Sequence, residues 1–570
     1  MKHILYGITT VLCAAFSGCD LIYEDMEELG YRENGEAYAY VSLTINTATE
    51  SDPDTRSNPT GGETGDGFEE GQMYENTVND LTLFFYVATP DDGGVNKTGD
   101  NIEFIATQYI SDIGAATDGT QPIDKTYSVG PFKIEGLRTN QQYHVLAVAN
   151  AGNLSSSITT LNALRSETIN KVYTATVTTT DGDTKTTYSN FVMASERDEY
   201  PVLDIAMDNS QSNPAETTID LERLAARVDY KTNDNNSYTL NDGSITASIT
   251  RAMLINVYNQ DSYLLKRVAG SWNATTDFDF LGDETTNNFV IDPKTSAKTA
   301  TPIATDAADW YDNYFPNISD KVEEDGTTAW EKLLTAGWDI DGWNCIGYPK
   351  ENTTSVEAQG KYYSTGVVFE ATYKGIGGVT EGETFFRVNG TTIYATLDAA
   401  MEAHNGEQFD PERTFSDYND LQKYIEDVLK DDDPAGYKAY LLTATEGEDN
   451  YSRYNWSNYK KEILGYDENE NPTAKTRQAL HERVVGENKK TETFLNGRGY
   501  YTYWIRHNGN GTDLIPGQAM GLGIVRNNIY KLTVNSISEI GNDVPGDKTL
   551  DILVAVAQWN RLPDESIELN

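Results

Sequence analysis

Five histidines, three cysteines and a large surplus of carboxylates are the groups in this chain with the capacity for chemistry, and their spacing argues against most of it. His3, His144, His404, His481 and His507 are scattered, with no two at metal-ligand spacing and none beside a motif that would make it a base. No Gly-rich phosphate loop, HExxH or GxSxG occurs. With 89 Asp plus Glu in 570 residues, acids pair by chance, so such pairs say nothing about acid–base catalysis. Asp467, Asn469 and Asn471 imitate the start of a calcium loop, but Pro472 stands where that loop needs glycine and Gln478 where it needs glutamate, which predicts a solvated turn. The rings of Trp310, Tyr311, Tyr314, Phe315, Trp330, Trp338 and Trp343 suit either a sugar-stacking platform or interior packing, the commoner fate. The expectation is a protein that is not an enzyme, with no catalytic residue, metal or cofactor.

Covalent processing is a different matter. Lys2 and His3 precede an apolar run, Ile4 to Phe16, too short to span a bilayer stably and shaped like a secretory leader. Ser17 and Gly18 then precede Cys19 in the manner of a lipobox. Cleavage between Gly18 and Cys19 would make residues 1–18 a signal peptide and leave Cys19 to carry acyl chains in an outer membrane. The other reading is an ordinary signal peptide with an incidental cysteine. Loss of the leader removes Cys13 and leaves only Cys19 and Cys345, so no disulfide framework exists and Cys345 is expected in the core. Thr47 to Thr77 is too polar to pack and predicts an exposed loop. Arg56 lies in it, the only basic residue between Arg32 and Lys97, and so a single target for a trypsin-like protease. The net charge of −46 argues against nucleic acid or an anionic membrane as a direct partner.

The elements that would position these residues read as all-β. Ala37 to Asn46 alternates strictly, with Ala39, Val41, Leu43 and Ile45 on one face. Short apolar strands follow, including Asp80 to Val87, Gln141 to Asn150 and Leu224 to Tyr230, at the spacing of a β-sandwich. An Asn/Asp-rich stretch, Asn233 to Asp242, reads as a boundary before a second set of strands that opens at Ala247. That second set is interrupted by helix-compatible pieces at Thr396 to Ala403, Tyr418 to Leu429 and Thr476 to Val485, and closes with Thr549 to Trp559. No sequence repeat and no second hydrophobic span follow the leader.

Three stretches, in order, resemble the shaft subunits of the minor fimbrium among the Bacteroidales type V fimbriae, fimbrillin-like proteins. They are the early strand with its polar loop and NDLTLFFYV (Asn79 to Val87), then VRNNIYKLTVNSISEIG (Val525 to Gly541), and the closing VAVAQWNRLPDESIELN (Val554 to Asn570). CIGYPKENTT (Cys345 to Thr354) resembles a Glu-Asn-Thr motif of fimbrillins, and the acidic run after Cys19 resembles Bacteroidota surface-export signals. The resemblance implies two tandem transthyretin-like β-sandwich domains, at 57–235 and 236–548, the second carrying the helical insertions. It implies a propeptide, 19–56, cut between Arg56 and Ser57 by an arginine-specific extracellular protease, and polymerisation by donor-strand exchange into a cell-surface fimbria that supports adhesion.

Strand exchange has a plain physical basis. A sandwich stripped of one strand exposes an apolar groove edged by unpaired backbone groups, a template for another strand. The displaced strand would offer Val41, Leu43 and Ile45, and the C-terminal segment 549–570 has a comparable row in Leu550, Ile552, Val554 and Val556. By pattern alone that segment fits equally well as the last core strand; the resemblance favours donation. Implied partners are copies of the chain, other fimbrial subunits, and host or bacterial surface receptors. Three alternatives stay open: a basal anchor, a tip or accessory subunit, and a surface glycan-binding lipoprotein.

Overall fold

Strict alternation of small apolar with polar residues commits the first element to a strand buried on one side. In the computed structural model this is β1, Tyr38–Asn46. The structure describes residues 36–47, 71–87, 102–113, 117–118, 125–180, 183–196, 201–240, 243–282, 288–299, 305–318, 321–360, 362–431, 433–484, 490–507, 519–546 and 551–558. Ala39, Val41, Leu43 and Ile45 are at most 2% exposed, while the residues between them are half-buried.

The first body also contains β2 (Leu81–Tyr86), β3 (Ala106–Ile110), β4 (Lys125–Glu135), β5 (Gln141–Ala149), β6 (Met193–Ser195) and β7 (Ala215–Arg223). They are hydrogen-bonded in the order β3-β2-β5-β6-β7-β1-β4. β1 runs parallel to β7, from Val41 beside Ala215 to Asn46 beside Asp220, and antiparallel to β4. From Leu221 onward β7 pairs with β6, so one strand serves both halves of the sheet. β2 is buried along its whole length, which explains why Leu81 and Leu83 to Tyr86 are apolar or aromatic and why the Thr82 hydroxyl donates to the Gly152 carbonyl.

The second body is built from β8 (Arg227–Lys231), β9 (Thr246–Ile255), β10 (Trp343–Gly347), β11 (Gly366–Lys374), β12 (Arg498–Trp504), β13 (Asn528–Ser536) and β14 (Asp551–Gln558). One sheet runs from Trp338–Ile340 through β10, β8 and β13 to β14; the other runs from Tyr238–Thr239 through β9 and β11 to β12. Val228, Tyr230, Phe369, Tyr501 and Leu532 share its core. The changeover between cores falls at Ala225 and Ala226, ahead of the Asn/Asp-rich stretch. Its described part, residues 233–240, holds a turn in which the Asn233 side chain accepts from Ser237 N and donates to its carbonyl, followed by the short strand Tyr238–Thr239.

Helices α1 (Leu397–Asn405), α2 (Tyr418–Asp427) and α3 (Ala474–Arg483) start at side-chain caps from Thr396, Asp417 and Thr473. They fall on the three stretches with helical pattern and form a core of their own with Met401, Leu421, Tyr437, Trp456 and Leu480. Among the described residues no helix is long and apolar enough to cross a membrane.

The β1–β4 pairing contains a bulge. Val41 lies opposite Phe132 and Leu43 opposite Val129, so Gly130 and Pro131 together face Ser42. A bulge is where proline, which lacks an N–H, can sit in a ladder. Gly130 has φ +112, and a Cβ there would lie 2.6 Å from the Val41 carbonyl oxygen. Gly130→Ala is therefore expected to cost about 1–3 kcal/mol and lower the urea midpoint of the intact chain. Gly270→Ala, where a Cβ meets nothing within 4 Å, should leave that midpoint in place.

Candidate assembly site: the slot of the first strand and the joint beneath it

β1 fills a slot walled by β4 and β7, and side chains reinforce both ends. The Asn209 amide mimics a neighbouring strand, its Oδ1 accepting from Tyr40 N and its Nδ2 donating to the Tyr40 carbonyl, both at 2.8 Å. At the other end Asn46 Nδ2 donates to Asp220 Oδ1 at 2.9 Å, and Thr126 Oγ1 donates to Asn46 Oδ1 at 3.2 Å. Burying Val41, Leu43 and Ile45 contributes about 1.5–3 kcal/mol per side chain.

The strand ends on a buried arginine. Arg223, fully buried, donates through Nη2 to the Thr47 carbonyl at 2.9 Å and to Asn76 Oδ1, and through Nε to the Glu75 carbonyl at 3.0 Å. Its Nη1 reaches Asn527 Oδ1 of the second body at 3.0 Å, and its backbone N the same oxygen at 3.2 Å. Asn527 has φ +54, a conformation asparagine tolerates better than most residues. Burial pulls the Arg223 guanidinium down to about 10, still charged at neutral pH, against the opposing fields of Glu75 and Glu196. One cation thus holds the end of β1, the chain that re-enters after the polar loop, and the second body.

Further buried charges line this joint. Arg227 contacts Glu75 Oε2 at 3.1 Å and Asp229 Oδ2 at 2.9 Å, and Tyr348 hydrogen-bonds Glu75. Arg526 grips Glu351 with two 2.7 Å contacts and donates to the Leu264 and Tyr263 carbonyls. Glu222 lies 3.8 Å from Arg526 and 3.7 Å from Lys266. Burial pushes its carboxyl up to about 7, only partly offset by those two cations.

Of the residues singled out in the sequence, Gly18, Cys19, Arg56, Ser57 and Leu550 lie outside the described residues. Val41, Leu43 and Ile45 sit together in the slot. Ile552, Val554 and Val556 lie in β14, opposite Val534, Leu532 and Tyr530 of β13, at the edge of the second body's five-stranded sheet. The aromatic cluster is no platform. Tyr311, Tyr314, Phe315, Trp330 and Trp343 are buried, and the rings divide among separate cores; half-buried Trp338 stacks on Tyr188 at 5.2 Å. This removes the physical basis for sugar stacking there. Cys345 is fully buried, and burial pushes its thiol well up. Asp467 Oδ1 accepts from Asn469 N and Asn471 N, closing a turn on its own backbone. His481 Nε2 lies 2.9 Å from buried Asp543 Oδ2 and His507 Nδ1 lies 2.8 Å from the Tyr530 hydroxyl, each a contact within the fold. Arg223 and Arg227 were missed as site residues; two arginines in the run LERLAARVDY were the available signal.

Comparison with known proteins adds a family likeness over the C-terminal part of the chain. Residues 492–564 match the family model described as major fimbrial subunit protein type IV, fimbrillin, C-terminal, so the chain's C-terminal part is similar to fimbrillins. The matched span contains β13, β14 and the Arg526–Asn527 pair of the joint. Among solved structures, the fimbrilin FimA of Porphyromonas gingivalis W83 is 11% identical, covering 92% of this chain and 99% of its own, with a TM-score of 0.34. The tip fimbrial protein Mfa3 of Porphyromonas gingivalis, with a C-terminal truncation, is 10% identical, covering 91% and 99%, with a TM-score of 0.31. A protein of Parabacteroides distasonis ATCC 8503 assigned to cell adhesion is 12% identical, covering 92% and 98%, with a TM-score of 0.35. No curated protein matches the sequence.

The Glu222 environment sets a pH dependence. A carboxyl with a raised folded-state value contributes stability that is present in full below its ordinary range near 4.5 and is lost as pH rises through 7. Between pH 5 and 8 this amounts to about 3 kcal/mol. Glu222→Gln is expected to shrink the difference between melting temperatures at pH 5 and pH 8, measured by differential scanning calorimetry on the intact chain.

Proposed function

We propose that this protein is a structural subunit of a bacterial surface fimbria, exported as a lipoprotein on Cys19 and matured by cleavage between Arg56 and Ser57. Removal of 19–56 takes β1 with it, and the vacated slot receives a strand from the C-terminal segment of a neighbouring copy. The observation that carries this reading is the seating of β1: a strand buried in its slot, followed in sequence by a polar loop with a single arginine. Cutting that loop leaves Glu75 and Asn76 attached to the joint, so the body that remains keeps its grip on Arg223 and Arg227. An apolar groove edged by backbone donors and acceptors cannot stay empty in water without cost, and strand addition meets both demands. Because the contact is head to tail it does not close, and it propagates as a filament.

The similarity of residues 492–564 to the fimbrillin C-terminal family supports the assignment of β14 and its flank as the donated segment. Ile552, Val554 and Val556, with Leu550 ahead of them, repeat at the spacing of Val41, Leu43 and Ile45. Partners of this reading are further copies, other fimbrial subunits, and the arginine-specific protease.

N-terminal sequencing of surface-extracted protein is expected to begin at Ser57, and Arg56→Ala to leave an uncleaved, acylated chain that does not assemble. A wild-type N-terminus at Cys19 in assembled fibres would instead assign a basal anchor. Deletion of Thr549 to Asn570 should yield secreted monomers by size-exclusion chromatography; fibres of normal length from that variant would refute donation from this end.

A further inference from the structure

The Glu-Asn-Thr stretch that follows β10 has no part in the slot, yet it lies in one of the most enclosed polar groups of the molecule. Lys298 is fully buried, Asn352 is 1% exposed and Asp292 is 2% exposed. Lys298 Nζ is 2.7 Å from Asp292 Oδ2 and 2.9 Å from Asn352 Oδ1. The orientation of the Asn352 amide is fixed from its other side, where Nδ2 donates to the Tyr363 carbonyl at 2.7 Å and to Thr365 Oγ1 at 2.9 Å. The opposite orientation would set an NH2 against the lysine amine, so the carbonyl faces Lys298. The Tyr311 hydroxyl lies 3.4 Å from that same Oδ1 and polarises it further. Asp292 is pinned in turn, its Oδ1 accepting from Lys294 N at 2.8 Å and its Oδ2 from Thr353 N at 2.9 Å. The ring of Tyr258, centred 4.3 Å from Nζ, closes the pocket.

A lysine amine, a side-chain amide and a carboxylate in one buried pocket are the reactants and the proton carrier of an amide exchange. With Nζ at 2.9 Å from Oδ1, and a carbonyl bond of about 1.2 Å, the amine lies within about 4.1 Å of the Asn352 carbonyl carbon. That is close to the separation at which bound groups react, and a small turn of the amide supplies the approach above its plane. Burial lowers the lysine amine below its ordinary range, opposed by the field of Asp292, and so favours the neutral nucleophile.

We infer that Lys298 and Asn352 are joined by an intramolecular isopeptide bond formed in the folded chain, with Asp292 as the proton carrier. Asp292 Oδ2 takes a proton from the lysine ammonium. The neutral Nζ attacks Cγ of Asn352, and the protonated carboxyl steadies the oxyanion as the tetrahedral centre forms. Asp292 then passes a proton to Nδ2, the Cγ–Nδ2 bond breaks, and ammonia leaves. The second Nζ proton returns to the carboxylate and is released with the ammonia as ammonium. One Nζ–Cγ bond replaces one Cγ–Nδ2 bond, with no oxidant, reductant or water consumed. The bond would link the segment after Phe289–Val290 to the chain that leaves β10, which pairs through Asn352 with Ile524 by two 2.9 Å backbone hydrogen bonds. Pulling on the chain ends would then fail to open the 54-residue separation between the two residues.

Peptide mapping of the secreted protein tests this without reference to its N-terminal processing or to assembly. Trypsin is expected to skip Lys298 and release a branched species in which residues 295–321 are joined to residues 351–361. Its mass should be about 17 Da below the sum of the two peptides, the loss of one ammonia. Fragmentation should place the junction at Lys298 and Asn352. Recovery of peptide 351–361 alone and unmodified from the folded wild-type protein overturns the inference. So does an ammonia loss that maps to a cyclised asparagine with Lys298 cleaved normally. Asp292→Asn, which keeps the side-chain volume, should return the two peptides separately; a branched species in that variant removes Asp292 from the reaction.

Discussion

The constraint on which the rest of this structure depends is that the backbone edges of β4 and β7 must be met by a strand. β1 meets both at once, parallel on one side and antiparallel on the other, and closes the first body's core with four small or branched aliphatic residues. A strand in the middle of a sheet is ordinarily the least dispensable element of a fold. Here it is joined to the remainder through the polar residues 48–70, and its seat is held by hydrogen bonds and burial.

The second feature is a joint made of charge. Isolated buried ions are costly, and the arginines at this joint are held by several oriented partners each. Arg223 gathers oxygens from Thr47, Glu75, Asn76 and Asn527, while Arg526 is held by Glu351 and two carbonyls. Directional contacts of this sort fix the angle between two bodies better than an apolar face, which tolerates sliding. Of the groups around Arg223, only Thr47 belongs to the segment that precedes Arg56.

How much of this was legible in the sequence follows from the range of the interactions. The period-two pattern of β1 is local, and so are the caps and periodicity of the three helices, which fall where the pattern placed them. The mostly β character was legible for the same reason. The joint was not, because Arg223 and Asn527 are 304 residues apart and no local pattern announces such a partner. The Asn/Asp-rich stretch is ambiguous in a different way. Its composition signals a turn, and a turn inside a body looks the same as a turn between bodies. The aromatic cluster shows the limit of proximity in sequence, since Tyr311 and Trp330 are near in the chain but pack in different cores. The motif from Glu351 to Thr353 stood out in the sequence, but its role depends on partners spread from Asp292 to Arg526.

The two-for-one step at Gly130 and Pro131 works as a keyway along the groove. A uniform groove would accept a strand at any phase, and slipping by a single residue would turn its aliphatic row outward. The step marks one position along it, where a single residue of the strand must face two, as Ser42 does. The strand that lies there meets the widened position with Ser42 and so keeps Ala39, Val41, Leu43 and Ile45 turned inward on either side of it.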